Sequence, residues 1–194
     1  MKPLTQYIQI KDKCAIYYLG NSYEYVVQII CLMPYIQKAL PNLEIDVFCK
    51  DEVAQTIGAK PLSYFEKNKY GFTYEITYNL DSHSIEDLLK ESNILYGPVD
   101  IPNIDNNTLY AICPYASLLS KSLNNIQIQK IKEIAEKEKY TFTENTLNAG
   151  WIIGPENYEL FLAASKGIRT SLVPTGYGEN LYKTMFPNGK ILIL

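Results

Sequence analysis

Ile152-Ile153-Gly154-Pro155-Glu156-Asn157-Tyr158-Glu159-Leu160-Phe161-Leu162-Ala163-Ala164-Ser165-Lys166-Gly167-Ile168-Arg169-Thr170-Ser171-Leu172-Val173-Pro174 decides the fold class. It reads as buried strand, tight loop, short helix, turn and buried strand. Short apolar runs bounded by Gly and Pro are the mark of parallel strands covered on both faces. The loop that closes the first strand also opens the helix. Its backbone N–H groups have no partner within the helix and face whatever lies above the strand end, which suits an anion.

The same alternation extends in both directions. Upstream, Cys14–Leu19 is a strand ended by Gly20-Asn21-Ser22, and Tyr25–Leu40 has apolar residues at helical spacing. Pro34 inside that helix predicts a kink or a break. Leu43–Cys49 is the next strand, and Asp51–Ile57 a short helix stopped by Gly58. Leu62–Phe65, Phe72–Tyr78 and Asn93–Tyr96 have strand composition, with a helix over Ile85–Glu91. The stretch Gly97–Asn107, with two prolines and several Asn and Asp, reads as a linker. Beyond it Leu109–Cys113, Asn125–Lys139, Tyr140–Thr143, Trp151–Ile153, Thr170–Val173, Glu179–Met185 and Ile191–Leu194 continue the series. The prediction is an α/β protein with two small Rossmann-like parallel-sheet halves and a cleft between them, with a single continuous sheet as the alternative. The halves are residues 1–104 and 105–194. The apolar segment Lys190–Leu194 is expected to be buried, in its own sheet or against a second copy in a homodimer.

Composition narrows the function. The 194 residues are 47% hydrophobic and 20% charged, as in globular proteins, and the net charge of −3 offers no footprint for nucleic acid. No apolar run reaches the roughly 20 residues of a transmembrane helix. Met1–Lys13 lacks the apolar core of a signal peptide, so the expected location is cytoplasmic. Cys14, Cys31, Cys49 and Cys113 are far apart with no Cys-x-x-Cys pair, so buried thiols are expected and a zinc site is not. His83 is the only histidine, which leaves little material for a Ser-His-Asp mechanism. Neither a Walker loop nor a GxGxxG fingerprint occurs, which weighs against an epimerase-like enzyme.

Three segments together resemble one family, the ADP-heptose:lipopolysaccharide heptosyltransferase-type glycosyltransferases of the GT-B type. Ile16–Phe48 is similar to its opening strand, loop, long helix and "EIDV"-like strand, here Glu44-Ile45-Asp46-Val47. Cys113-Pro114-Tyr115-Ala116-Ser117 followed by Lys121-Ser122-Leu123 is similar to a phosphate-contacting stretch in which a Trp follows the Lys. Gly154–Gly167 matches, without a gap, the pattern Gly-Pro-Asp-Ser/Thr-Gly … His-Leu-Ala-Ala-x-x-Gly. At the family's Asp, Ser/Thr, Gly and His this chain has Glu156, Asn157, Tyr158 and Phe161.

The resemblance implies metal-free transfer of a sugar from a nucleotide-diphosphate sugar to a glycan or lipid acceptor, with no further cofactor. Such a transfer needs a base for the acceptor hydroxyl and stabilisation of the leaving diphosphate. Glu24, at a helix start, is the candidate base, and an acid favoured by the helix dipole is the plainer alternative. Lys121 is the candidate diphosphate partner as a point charge, with Ser117 and Ser120 as hydroxyl donors. Glu156 and Asn157 are candidates for sugar or ribose contacts and Tyr158 for ring stacking, while Asn157 also suits a helix cap. Gly176 and Tyr177 lie in a loop whose glycines permit close approach of a ligand. A non-catalytic nucleotide- or sugar-binding module built on the same fold is the rival expectation.

Overall fold

The computed structural model describes residues 13–20, 23–76, 85–101, 107–116, 121–175 and 179–194. The chain forms two compact units, Met1–Gly97 and Pro98–Leu194.

Unit 1 runs β1 (Lys13–Tyr18), α1 (Glu24–Ala39), β2 (Glu44–Cys49), α2 (Asp51–Ile57), β3 (Lys60–Pro61), β4 (Phe72–Ile76) and α3 (Ile85–Glu91). Its sheet has the order β3-β2-β1-β4, and every pairing is parallel. That is the 3-2-1-4 order of a Rossmann half, with the switch point between β1 and β4. Val26, Ile29, Leu32 and Ile36 give α1 one buried side. The helix continues through Pro34 instead of breaking. Pro34 stands on the exposed side of the helix, and packing of the opposite side holds the helix. Gly58, at φ 78°, ends α2 in the left-handed conformation that glycine adopts without strain.

The register puts Ala15, Tyr17, Asp46 and Phe48 on one face of this sheet and Cys14, Ile16, Tyr18 and Val47 on the other. The first face lies under Phe65 and Tyr70, whose rings pack on Phe48 at 5.2 and 5.8 Å. The nearly buried Asp46 carboxylate there accepts from Tyr70 Oη (2.8 Å) and pairs with Lys60 (2.6 Å) and Lys13 (3.4 Å). Two strands expected from composition are absent. Leu62–Tyr64 is a single 3-10 turn that carries the chain off β3. At 93–96 the chain is wound back onto α3, with Asn93 at φ 53° and the Ile94 N–H on the Leu89 carbonyl. Helix capping has overridden β-propensity there.

Unit 2 runs β5 (Leu109–Ile112), α4 (Asn125–Lys137), β6 (Thr141–Phe142), β7 (Trp151–Gly154), α5 (Tyr158–Ser165), β8 (Arg169–Leu172), α6 (Glu179–Met185) and β9 (Lys190–Ile191). The sheet order is β6-β5-β7-β8-β9, again all parallel. Asn124 opens α4 with a capping box: its Oδ1 accepts from Gln127 N (2.9 Å), and Gln127 Oε1 accepts from Asn124 N (3.0 Å). Tyr110, Trp151, Ile153 and Val173 on one sheet face pack with Ile131 and Ala135 of α4. On the other face Phe161, Tyr182 and Phe186 form a ring cluster with centroids 5.5 to 5.9 Å apart. Tyr182 Oη meets Thr170 Oγ1 at 2.6 Å within it. The apolar end is only partly inside. Leu192 and Leu194 pack on the core, whereas Ile193 alternates outward and is 85% exposed.

Cys14, Cys49 and Cys113 are buried and Cys31 is half-buried; all four are free thiols. Among the described residues, no helix is long and apolar enough to cross a membrane.

Candidate functional site

The strand order of unit 2, 2-1-3-4-5 within the unit, fixes where a ligand has room. The chain leaves β5 toward β6 on one side and leaves β7 toward β8 on the other, so the two exits diverge at their carboxyl ends. Those exits are the loops that start at Cys113 and at Pro155, the two segments marked out by sequence.

Asn157 ties them together. Its Oδ1 accepts from Leu160 N (2.9 Å) and caps α5, while its Nδ2 donates to the Tyr115 carbonyl (3.0 Å). The side chain is buried, so the bond to Leu160 N is shielded from water, while the bond to the carbonyl of the exposed Tyr115 is half-buried. The β5 loop is held at two further points. Leu123 N donates to the Pro114 carbonyl (2.8 Å), and Ala116 N donates to Ser122 Oγ (3.0 Å). Below the loops the strands touch closely. A Cβ added at Gly154 would stand 2.5 Å from the Cys113 carbonyl oxygen, so only glycine keeps β5 and β7 at this spacing.

The electrostatics are mixed. Burial, reinforced by the nearby Glu159 carboxylate, pushes the Cys113 thiol far above its ordinary range. Burial, Glu159 and Cys113 together push the Tyr158 phenol up. Both groups are therefore neutral at physiological pH, and Cys113 is no nucleophile. Glu159 sits in the first turn of α5, where its charge complements the helix dipole.

The residues singled out by sequence fall as follows. Lys121, Glu156 and Tyr158 are half-buried and Asn157 is buried, all on these two loops or the start of α5. Lys121 lies ahead of α4, next to the Ser122 that holds Ala116. Ser117, Ser120, Gly176, Tyr177 and His83 lie outside the described residues. Glu24 belongs to unit 1. It is the first residue of α1, shortly after the β1 exit, and is 3% exposed. Phe161, which stands where the pattern quoted above has a His, is fully buried in the ring cluster, and Leu123, where the phosphate-contacting pattern has a Trp, is buried in the α4 core.

The only arginine is committed elsewhere. Arg169 starts β8, at the opposite end of the strands, with its guanidinium 3.9 Å above the Trp151 ring and paired with Glu138. Among the described residues, no group of three or more His, Cys, Asp or Glu is placed to hold a metal ion.

Sequence reading missed one feature of the site. Tyr115 is 72% exposed on the pinned β5 loop, whereas Tyr158 is partly covered. The available signal was its place directly after Pro114, which ends the strand pattern and frees the next side chain from sheet alternation. Set against family models, curated proteins and solved structures, the chain matches none.

Proposed function

We propose that the chain is a glycosyltransferase-like protein that takes a nucleotide-diphosphate sugar at the β5 and β7 strand ends of unit 2 and passes the sugar to a glycan or lipid acceptor. The observation that carries this reading is the Asn157 bridge. It holds two loops in fixed register at the point where an open parallel sheet receives ligands. In this reading the diphosphate lies toward Lys121, which supplies charge, and Ser117 and Ser120 are the hydroxyl donors named from sequence. The hydroxyl-rich part of the donor lies toward Glu156, since carboxylates accept from sugar hydroxyls and repel phosphate. Gly176 and Tyr177 are the further candidate donor contacts named from sequence. Glu24, the first residue of α1 in unit 1 and 3% exposed, is the base named from sequence, and its role in removing the acceptor proton is what the Glu24→Gln assay below tests.

One observation favours the rival, a binding module without turnover. The position that carries a His in the resembling family is here a core residue, Phe161, so no ligand reaches it.

Melting shifts with a panel of nucleoside diphosphates and nucleotide sugars test the reading. A ligand at about 100 times its Kd adds about 2.7 kcal/mol to stability. Binding with slow sugar-nucleotide hydrolysis that Glu24→Gln abolishes supports the transferase. Binding without turnover supports the module. A panel that shifts nothing overturns both.

A further inference from the structure

We infer that Tyr115 is the stacking platform for the nucleobase of the nucleotide ligand. This rests on the donor site proposed above and adds the residue that grips the base. Three observations converge on it. Tyr115 lies at the switch point of the unit 2 sheet, on the exit of β5. Its backbone is fixed on both sides. The Pro114 carbonyl accepts from Leu123 N (2.8 Å), its own carbonyl accepts from Asn157 Nδ2 (3.0 Å), and Ala116 N donates to Ser122 Oγ (3.0 Å). On this pinned stretch Tyr115 is 72% exposed, whereas the neighbouring Ala116 is buried.

An aromatic residue left in water on a backbone held at Pro114, Tyr115 and Ala116 is pre-organised for a flat partner. Little conformational entropy remains to be lost when the partner lands, because the backbone is already set and the side chain has only two rotatable bonds. Tyr158, the ring on the facing loop, is partly covered and lies close to Cys113 and Glu159. It can border the ligand, but it offers less open surface. The occupant is a purine or pyrimidine, because stacking tolerates any base with a π-face, and removing such a contact costs about 1–3 kcal/mol. The diphosphate then extends toward Lys121 on the same loop.

The test is direct binding, by calorimetry, of UDP, ADP and GDP to the full chain and to Tyr115→Ala, Tyr115→Phe and Lys121→Ala. For the nucleotide that the wild type binds, Tyr115→Ala is expected to weaken affinity roughly 5- to 150-fold, the equivalent of one lost stack. Tyr115→Phe, which keeps the ring and loses the hydroxyl, is expected to bind within about twofold of wild type. Inorganic pyrophosphate, which has no base, is expected to bind wild type and Tyr115→Ala equally, and to bind Lys121→Ala more weakly. Because Tyr115 is exposed, its substitution leaves the melting temperature unchanged, so a lost affinity is not a lost fold. Nucleotide binding that survives Tyr115→Ala overturns the platform and leaves the donor site standing. A wild type that binds no nucleotide overturns both.

Discussion

Replacing Asn157 with alanine separates the two jobs of one side chain. The substitution removes the cap from α5, leaving Leu160 N–H without its side-chain acceptor, and removes the donor that holds the Tyr115 carbonyl. A lost Asn cap costs about 1 kcal/mol. A lost neutral hydrogen bond in a half-buried place costs about another 1 kcal/mol. The sum, about 2 kcal/mol, corresponds to a drop of roughly 8–16 °C in the melting temperature of a unit of this size. Asn157→Ser keeps a competent cap but is too short to bridge the loops, so it loses about half as much. Trp151, the only tryptophan, is buried in the core of unit 2, so urea unfolding followed by its fluorescence reads that unit and not the other. An Asn157→Ala protein that unfolds within about 0.5 kcal/mol of wild type refutes the bridge as a structural tie. Equal losses for Ala and Ser refute the division between cap and bridge.

Individual contacts elsewhere give three more expected outcomes. Tyr110 is fully buried with a hydroxyl that has no hydrogen-bond partner, so Tyr110→Phe is expected to raise the stability of unit 2 by about 1 kcal/mol in the same urea assay. Gly154→Ala forces β5 and β7 apart at the Cys113 carbonyl and is expected to cost about 1–3 kcal/mol, read as a lower melting temperature. Burial alone would raise the Asp46 pKa, but the hydrogen bonds from Lys60, Tyr70 and Lys13 and the charge of Lys60 outweigh it and hold the carboxyl below the ordinary aspartate value. Its stabilising contribution is complete above the unfolded aspartate pKa of about 3.9 and is lost as pH falls through the depressed folded value. Wild type should therefore lose more stability than Asp46→Asn between about pH 6 and about pH 3, measured by urea unfolding with far-UV circular dichroism.

What was legible in the sequence was local and periodic. Asp51–Ile57 has the predicted bounds because its acidic first turn and the Gly58 stop are read residue by residue, and Ile85–Glu91 and Glu179–Met185 also run as predicted, each with an acid in the first turn. The strand cores of β1, β2, β5, β7 and β8 were equally plain, since short apolar runs between turn residues have few other uses in an α/β chain. Composition misleads where context competes with it. Leu62–Tyr64 has strand residues, but it follows a two-residue β3 and must turn the chain across the sheet. At the site, the two loops could be named from sequence, because strand ends that open helices are visible as Gly-Pro and Cys-Pro steps. That Asn157 reaches the Tyr115 carbonyl could not. It is a contact across 42 positions, set by the pairing of β5 with β7. The core fate of Phe161 was hidden for the same reason: its neighbours Tyr182 and Phe186 come from α6 and the turn after it.

The stacking of Arg169 on Trp151 has a practical corollary. A protease that cuts only after arginine has a single target in all 194 residues, the bond between Arg169 and Thr170. That bond begins an inner strand, flanked by β7 and β9, with Thr170 itself buried. Nicking by such an enzyme would be a clock for the opening of unit 2, two fragments appearing only as fast as that strand leaves its sheet.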